Sequence, residues 1–291
     1  MVEVLGVSPF QLAYEGYDAD GHTAEAIYIG QSIQGTARIY NALANWHFAG
    51  RPVHPSAHSI RVHVGPPRDG SLLYMFYLMM VHGKFAVYLE IFFELAGLAI
   101  PLSLKAIIAR RSGQHQAVEK AVDAMLEMYR RHNEFARQVH NDNVKEKAAL
   151  FSLVEKLALG VNKSLADMAA PIGRTVRQIE HFKDSAEPVT VDEPVAEALR
   201  SKEEVIVGDT QMLTGRILAV DTVTGAGKLH VDGEATPTRA KITDPTLAIP
   251  ENAYTHALDT AAKISVTAKP VTKDGIISTL YISDARIIDD A

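Results

Sequence analysis

The chain has 291 residues, of which 47% are hydrophobic and 22% charged, with a formal net charge of −6 at pH 7. This length holds two domains, the composition excludes a disordered chain, and the acidic balance gives no support for a generic nucleic-acid binder. The absence of cysteine excludes disulfides and thiolate metal sites and fits a reducing compartment.

Charge is unevenly spread. Lys and Arg number 5 against 8 Asp and Glu in residues 1–104, 14 against 9 in 105–183, and 10 against 18 thereafter. The middle third is therefore basic within an acidic protein.

The first residues, MVEVLGVSPFQLAYEG, show no basic segment followed by an apolar one, which predicts synthesis in the cytoplasm without a secretory signal. FQLAYEG and the residues before it read as a strand, ended by the turn-rich YDADGH. From Ala24 to Phe48 the spacing of Ile27, Ile29, Ile33, Ala37, Tyr40, Leu43 and Trp46 predicts a helix, although Gly30 and Gly35 each weaken it by roughly 1 kcal/mol. AGRPVHPSAH breaks that helix. Two strands then flank the Pro-Pro-Arg-Asp-Gly turn, and ten consecutive apolar residues from Leu72 to Val81 predict a strand covered on both faces.

Residues 84–112 predict a hydrophobic helix. Over 85–109 it would reach about 37 Å, enough for a hydrocarbon layer of about 30 Å. Its Leu, Ile, Val and Phe residues favour insertion by roughly 4–8 kcal/mol, against roughly 8–10 kcal/mol for three central charges. A lone span therefore inserts poorly. Those charges fall on one strip, with Glu90, Glu94 and Lys105 aligned with Gly97 and Pro101. Two readings follow: a polar strip facing a shared aqueous axis in an oligomer, or a core helix that shows the strip to water.

From Gln114 to about Phe182 the apolar spacing is helical, with HNDN as a corner and Pro171 interrupting the last piece. Arg110, Arg111, Arg130, Arg131, Arg137, Lys145, Lys147, Lys163, Arg174 and Arg177 alternate with the apolar stripes, so they are candidates for contact with a phosphate backbone. The alternative is a solvated surface in which Glu119, Glu127, Glu134 and Glu146 pair with them locally.

Residues 185–208 read as an acidic connector with one short helix. After it come five short strands, with PENAYTHALD as a helix between the third and fourth, which suits a small barrel of the oligonucleotide-binding or SH3-like type. The fold class expected is α+β: a small N-terminal α/β unit over 1–83, the hydrophobic helix, a central helical region over 113–184, the connector, and a C-terminal small β-barrel over 209–291.

Several motifs fall short of a site. TGAGK lacks the first glycine and the final Ser or Thr of a phosphate-binding loop and sits in a hairpin. DADGH has Ile29 where a calcium loop needs glutamate. His54 and His58 are separated by Pro55 and do not form a helical metal pair. No nucleophile elbow or Ser-His-Asp ordering stands out, so neither a cofactor nor catalysis is expected.

The strand and small-residue helix GHTAEAIYIGQSIQGTARIYNAL, the glycine-bounded DGSLLYMFYLMMVHGKFAVYLEIFFELAG, and the barrel from LTGRILAVDTVTGAGKLHVDGE to GIISTLYISDA resemble in layout the membrane-channel effector of the Hailong anti-phage system. The resemblance implies a tetramer held inactive by single-stranded oligodeoxyadenylate, a DNA oligomer made by a partner nucleotidyltransferase. It also implies an inner-membrane or membrane-associated location on activation. No family residue transfers by motif.

Overall fold

The computed structural model describes residues 6–50, 60–67, 72–80, 89–132, 136, 146–201, 205–234, 236–273 and 276–288. The chain divides into two units, residues 1–200 and 201–291. The architecture is mixed α+β.

In the first unit the alternating segments form an antiparallel sheet. Its strands are β1 (Gly6–Glu15), β2 (Ile60–Val64), β3 (Leu72–Met80), β4 (Gln178–His181) and β5 (Val189–Val191), in the order β2-β3-β1-β4-β5. Phe10 on β1 faces Phe76 on β3 in register, and both rings meet Tyr40 of helix α1 (Ala26–Ala49). Phe182, just past β4, stacks on the same tyrosine at 5.1 Å. On that face of β3 Phe76 and Leu78 are at 0% exposure, while Tyr77 and Met79 on the opposite face are only partly covered.

The hydrophobic segment forms helix α2 (Leu89–Arg111). No helix among the described residues is long and apolar enough to cross a membrane. Instead α2 packs against α1, β1, β5, α3 (His115–Arg131), α4 (Lys147–Gly160) and α6 (Glu193–Arg200). Leu95, Ile100, Leu104 and Ile107 are at most 1% exposed. Lys105 keeps its ammonium at the surface, 3.0 Å from Glu187. The side chains of Glu90 and Glu94 lie outside those described.

A buried polar tie fixes the helices around α2. His47 at the end of α1 lies 2.6 Å from the Tyr129 hydroxyl on α3 through Nδ1, and 2.8 Å from the Ser103 hydroxyl on α2 through Nε2. Ser103 in turn donates to the Met125 sulfur at 3.3 Å. Burying these groups costs little because they satisfy one another.

The chain departs from the helical expectation after α5 (Asn162–Met168). Residues 169–177 are turns around Pro171, and 178–181 are strand β4 rather than helix. Ile179 and His181 are buried while Gln178 and Glu180 are partly exposed, a period of two that the preceding helical run masked. The stretch 185–208, read as a connector, holds β5, α6 and the short strand β6 (Val205–Val207). The HNDN corner, Arg137 and Lys145 lie outside the described residues, as do His54 and His58.

In the second unit β7 (Gln211–Val220), β8 (Ala226–Val231), β9 (Thr238–Ile242), β11 (Ile276–Ile287) and β10 (Ile264–Lys273) pair in that order, and β10 returns to β7. This closes a five-stranded barrel, with β9 and β11 parallel and β6 added beyond β10. Ile217, Leu229, Ile242, Ile264, Val266, Leu280 and Ile282 fill it, and α7 (Ala253–Thr260) plugs the core with Tyr254. Asn252 caps that helix by accepting from the amides of Tyr254 and Thr255, both at 3.0 Å. Gly225, with φ +71, turns the β7–β8 hairpin where a Cβ would lie 2.4 Å from the Ile242 carbonyl.

The two glycines of α1 behave oppositely. A Cβ on Gly35 would sit 2.5 Å from the Met168 amide nitrogen and 2.6 Å from the Ser164 carbonyl of α5, whereas one on Gly30 meets nothing within 4 Å. Gly35→Ala is expected to lower unfolding free energy by about 1–3 kcal/mol and Gly30→Ala to raise it by about 0.5–1 kcal/mol. Chemical denaturation of the two variants checks the opposite signs.

His181 is buried beside Tyr40, 2.8 Å from its hydroxyl, and burial pushes the imidazole down to about 3. The unfolded chain therefore takes up its proton near pH 6.5 while the folded one stays neutral. Stability from this site is complete above pH 6.5 and falls as pH drops toward 3, by up to about 1.4 kcal/mol per unit. Denaturation midpoints between about pH 7 and 5.5 should decline more steeply for the wild type than for His181→Gln; parallel slopes would show that the imidazole is not the sensor.

Candidate nucleic-acid interface

The predicted cations of the first unit spend much of their charge locally. On α4, Lys147 lies 3.0 Å from Glu119 and 2.8 Å from Asp123 of α3. Hydrogen bonds to the two carboxylates, Asp123 first, raise its ammonium above the usual lysine value. Arg131 pairs with Glu127 one turn earlier at 3.2 Å, and Arg110 with Glu155 at 3.2 Å. Arg174 lies over the ring of Tyr28, 4.4 Å from its centre. The Cβ of Arg177 packs against Gly16, whose φ of +81 lets the backbones approach, and the Arg177 amide donates to the Glu15 carbonyl at 2.8 Å. Arg130 and Lys163 are exposed.

Two of the predicted residues converge. Arg110 and Arg111, at the carboxyl end of α2, line an open cavity of about 260 Å³ with Glu155, Ala158 and Leu159. Their position in the last helical turn is also where cations complement the helix dipole, so the pair has a structural role there.

The DADGH turn is held by its own hydrogen bonds. Thr175 donates to Asp18 at 2.7 Å and the Gly16 amide donates to Asp20 at 2.8 Å. Tyr17 donates to the buried carboxylate of Glu193. Among the described residues no group of three His, Cys, Asp or Glu side chains could hold a metal.

The surface that sequence reasoning missed is on the barrel. Leu229 on β8 and Ala240 and Ile242 on β9 point inward, so pleating turns Lys228, His230, Arg239 and Lys241 outward. Lys228 lies directly opposite Arg239 across β8 and β9, and Arg216 lies opposite His230 across β7 and β8. Neither Lys228 nor Arg239 makes an ion pair among the described residues. Lys241 donates to the Thr224 carbonyl at 2.6 Å. Asp232, just past β8, is held below the usual carboxylate range chiefly by Lys263 and then by Thr214.

These three strands hold no acidic residue, although residues 201–291 contain 9 Lys and Arg against 13 Asp and Glu. The signal was present in the alternating KLHV and RAKI segments, and averaging charge over the acidic carboxy-terminal third concealed it.

Like charges directly opposite on a sheet destabilise it, by an amount comparable to the roughly 0.2–1 kcal/mol that opposite charges contribute. Lys228→Glu, which converts the pair with Arg239 to opposite signs, is therefore expected to stabilise the barrel by roughly 0.2–1 kcal/mol at low salt. The gain should shrink as salt is added. Unfolding midpoints at two salt concentrations check this.

Comparison with known proteins parallels the division of the fold. A family model described as a domain of unknown function (DUF7946) matches residues 10–200. A second, described as a family of unknown function (DUF7947), matches residues 209–286. No curated protein matches. Among solved structures, a mutant of the ferredoxin protease FusC in complex with Arabidopsis ferredoxin aligns at 12% identity with a TM-score of 0.20. That alignment covers 82% of this chain but 29% of the other, and a score so low carries no argument about fold or activity.

Proposed function

The chain belongs to the DUF7946 family, a domain of unknown function, and from that premise we propose that it is an oligomeric binding protein that holds a single-stranded DNA oligomer, with α2 serving as core. The burial of α2 carries this reading. Six large aliphatic side chains between Leu95 and Ile108 are at most 6% exposed, and enclosing them favours the packed state by roughly 9–18 kcal/mol as an upper bound. Insertion of the same segment as a lone span gains nothing comparable, because its charges cancel the benefit.

The barrel supports the ligand class. A helix between the third and fourth strands, with the third and fifth strands parallel, favours the oligonucleotide-binding form over the SH3-like one. The closed barrel and its basic strand face fit a ligand whose affinity comes from phosphates. Binding is the activity proposed.

A second reading keeps the Hailong-type layout, in which loss of the DNA oligomer frees α2 to form an ion path in a tetramer at the membrane. The observation favouring it is Lys105. Its side chain is 44% exposed within the otherwise buried run from Ala99 to Ala109, and an ion pair to Glu187 holds it there. In this reading the DNA must bind the closed state more tightly than the open one, and a partner nucleotidyltransferase supplies it.

Two measurements separate the readings. The purified chain should show excess absorbance near 260 nm that nuclease removes; an unchanged spectrum would count against a bound oligomer. Replacing Glu90, Glu94 and Lys105 together with leucine should leave the protein out of the membrane fraction if α2 is core, whereas constitutive membrane association would favour the channel.

A further inference from the structure

We infer that the β7–β8–β9 face of the barrel, rather than the basic helices of the first unit, takes the single-stranded nucleic acid; this rests on the ligand class proposed above and assigns its site. The helical cations Lys147, Arg131 and Arg110 are already neutralised by carboxylates within 3.2 Å. On the barrel the opposite holds: Lys228 and Arg239 face each other in register, and His230 faces Arg216 beside them.

Such an arrangement is unfavourable in the free protein, and it becomes favourable when a chain of phosphates lies across the strands. Each cation then releases a condensed counterion and gains a phosphate partner. Arginine at 239 adds bidentate geometry.

The face also offers a surface for bases. Lys241 is in register with Tyr281 on the adjacent parallel strand. Leu280 and Ile282 point inward, so Tyr281 stands on the same outer side as Lys241. An aromatic ring at the edge of a cationic strip is the pattern that holds single strands without reading their sequence.

The test uses the full chain and a labelled single-stranded oligodeoxyadenylate of about 20 nucleotides, with binding followed by fluorescence anisotropy from about 50 to 300 mM salt. Lys228→Gln combined with Arg239→Gln should weaken binding about tenfold and reduce the slope of log affinity against log salt by about 1.4, about 0.7 for each lost contact. Arg130→Gln combined with Lys163→Gln should change neither quantity. An unfolding midpoint at or above the wild-type value separates loss of contact from loss of fold in the barrel variant.

The reverse pattern, with the helical variant weakened and the barrel variant unchanged, overturns the site while leaving the ligand class standing. Equal losses for the single strand and a duplex of the same length overturn the assignment to single strands. No binding by the wild-type chain at the lowest salt overturns the ligand class as well.

Discussion

A helical run with one charge in fifteen residues, Leu95 to Ala109, needs a nearly complete enclosure, and the first unit is arranged to supply one for this part of α2. From Leu95 to Ala109 only Gly97, Leu98 and Lys105 escape full burial. Water therefore has to be excluded by neighbours on every other side: α1 and the sheet, α3 and α4, and α6 with β5. The His47 bridge to Tyr129 and Ser103 adds direction to a contact that is otherwise only apolar. Hydrophobic burial is not directional, so a few internal hydrogen bonds decide which rotation of α2 about its axis is the native one.

The second unit solves the same problem with a closed sheet. Closure removes strand edges around the barrel, and the short β6 takes up the edge left by β10. What remains for solvent includes a face, on β7 to β9, whose charged residues are all cationic. A unit that is acidic overall can keep such a strip because Asp221 and Asp232 are anchored at its margins. Asp221 accepts from the amides of Val223 and Thr224 in the hairpin, and Asp232 lies 3.1 Å from Lys263.

Local periodicity made the elements of both ends legible. The β1 strand, the long α1 helix, the β2–β3 pair and all five barrel strands follow from alternation or helical spacing within each segment. What local pattern did not reveal was partnership. QIEH was masked by the helical run before it, and of its two partners only β5 is near in sequence, while Leu12 to Glu15 lie more than 160 residues away. Gly35 looked like a weakness in α1 until the close approach of α5 explained it. For α2, periodicity gave the helix and its charged strip but not what covers the rest. Charge counts failed in another way: a sum over a third of the chain cannot show that Lys228 and Arg239 share one side of a sheet. On the basic helices, Lys147, Arg131 and Arg110 stand out in the sequence as a cluster, and the structure adds the carboxylate partners that each of them meets.

The register of Leu12 with His181 also sets a timetable. During synthesis at about 5–20 residues per second, β1 can pair with β3 soon after residue 80 emerges, but its other edge waits roughly 5–20 s longer for β4. Through that interval the nascent sheet presents an open edge, and Phe10 and Tyr40 lack their contacts with Phe182. Contacts so distant in sequence slow folding and leave such intermediates prone to association. The first unit therefore carries a partnerless sheet edge while it is being made, and the locally connected barrel that follows does not share that delay.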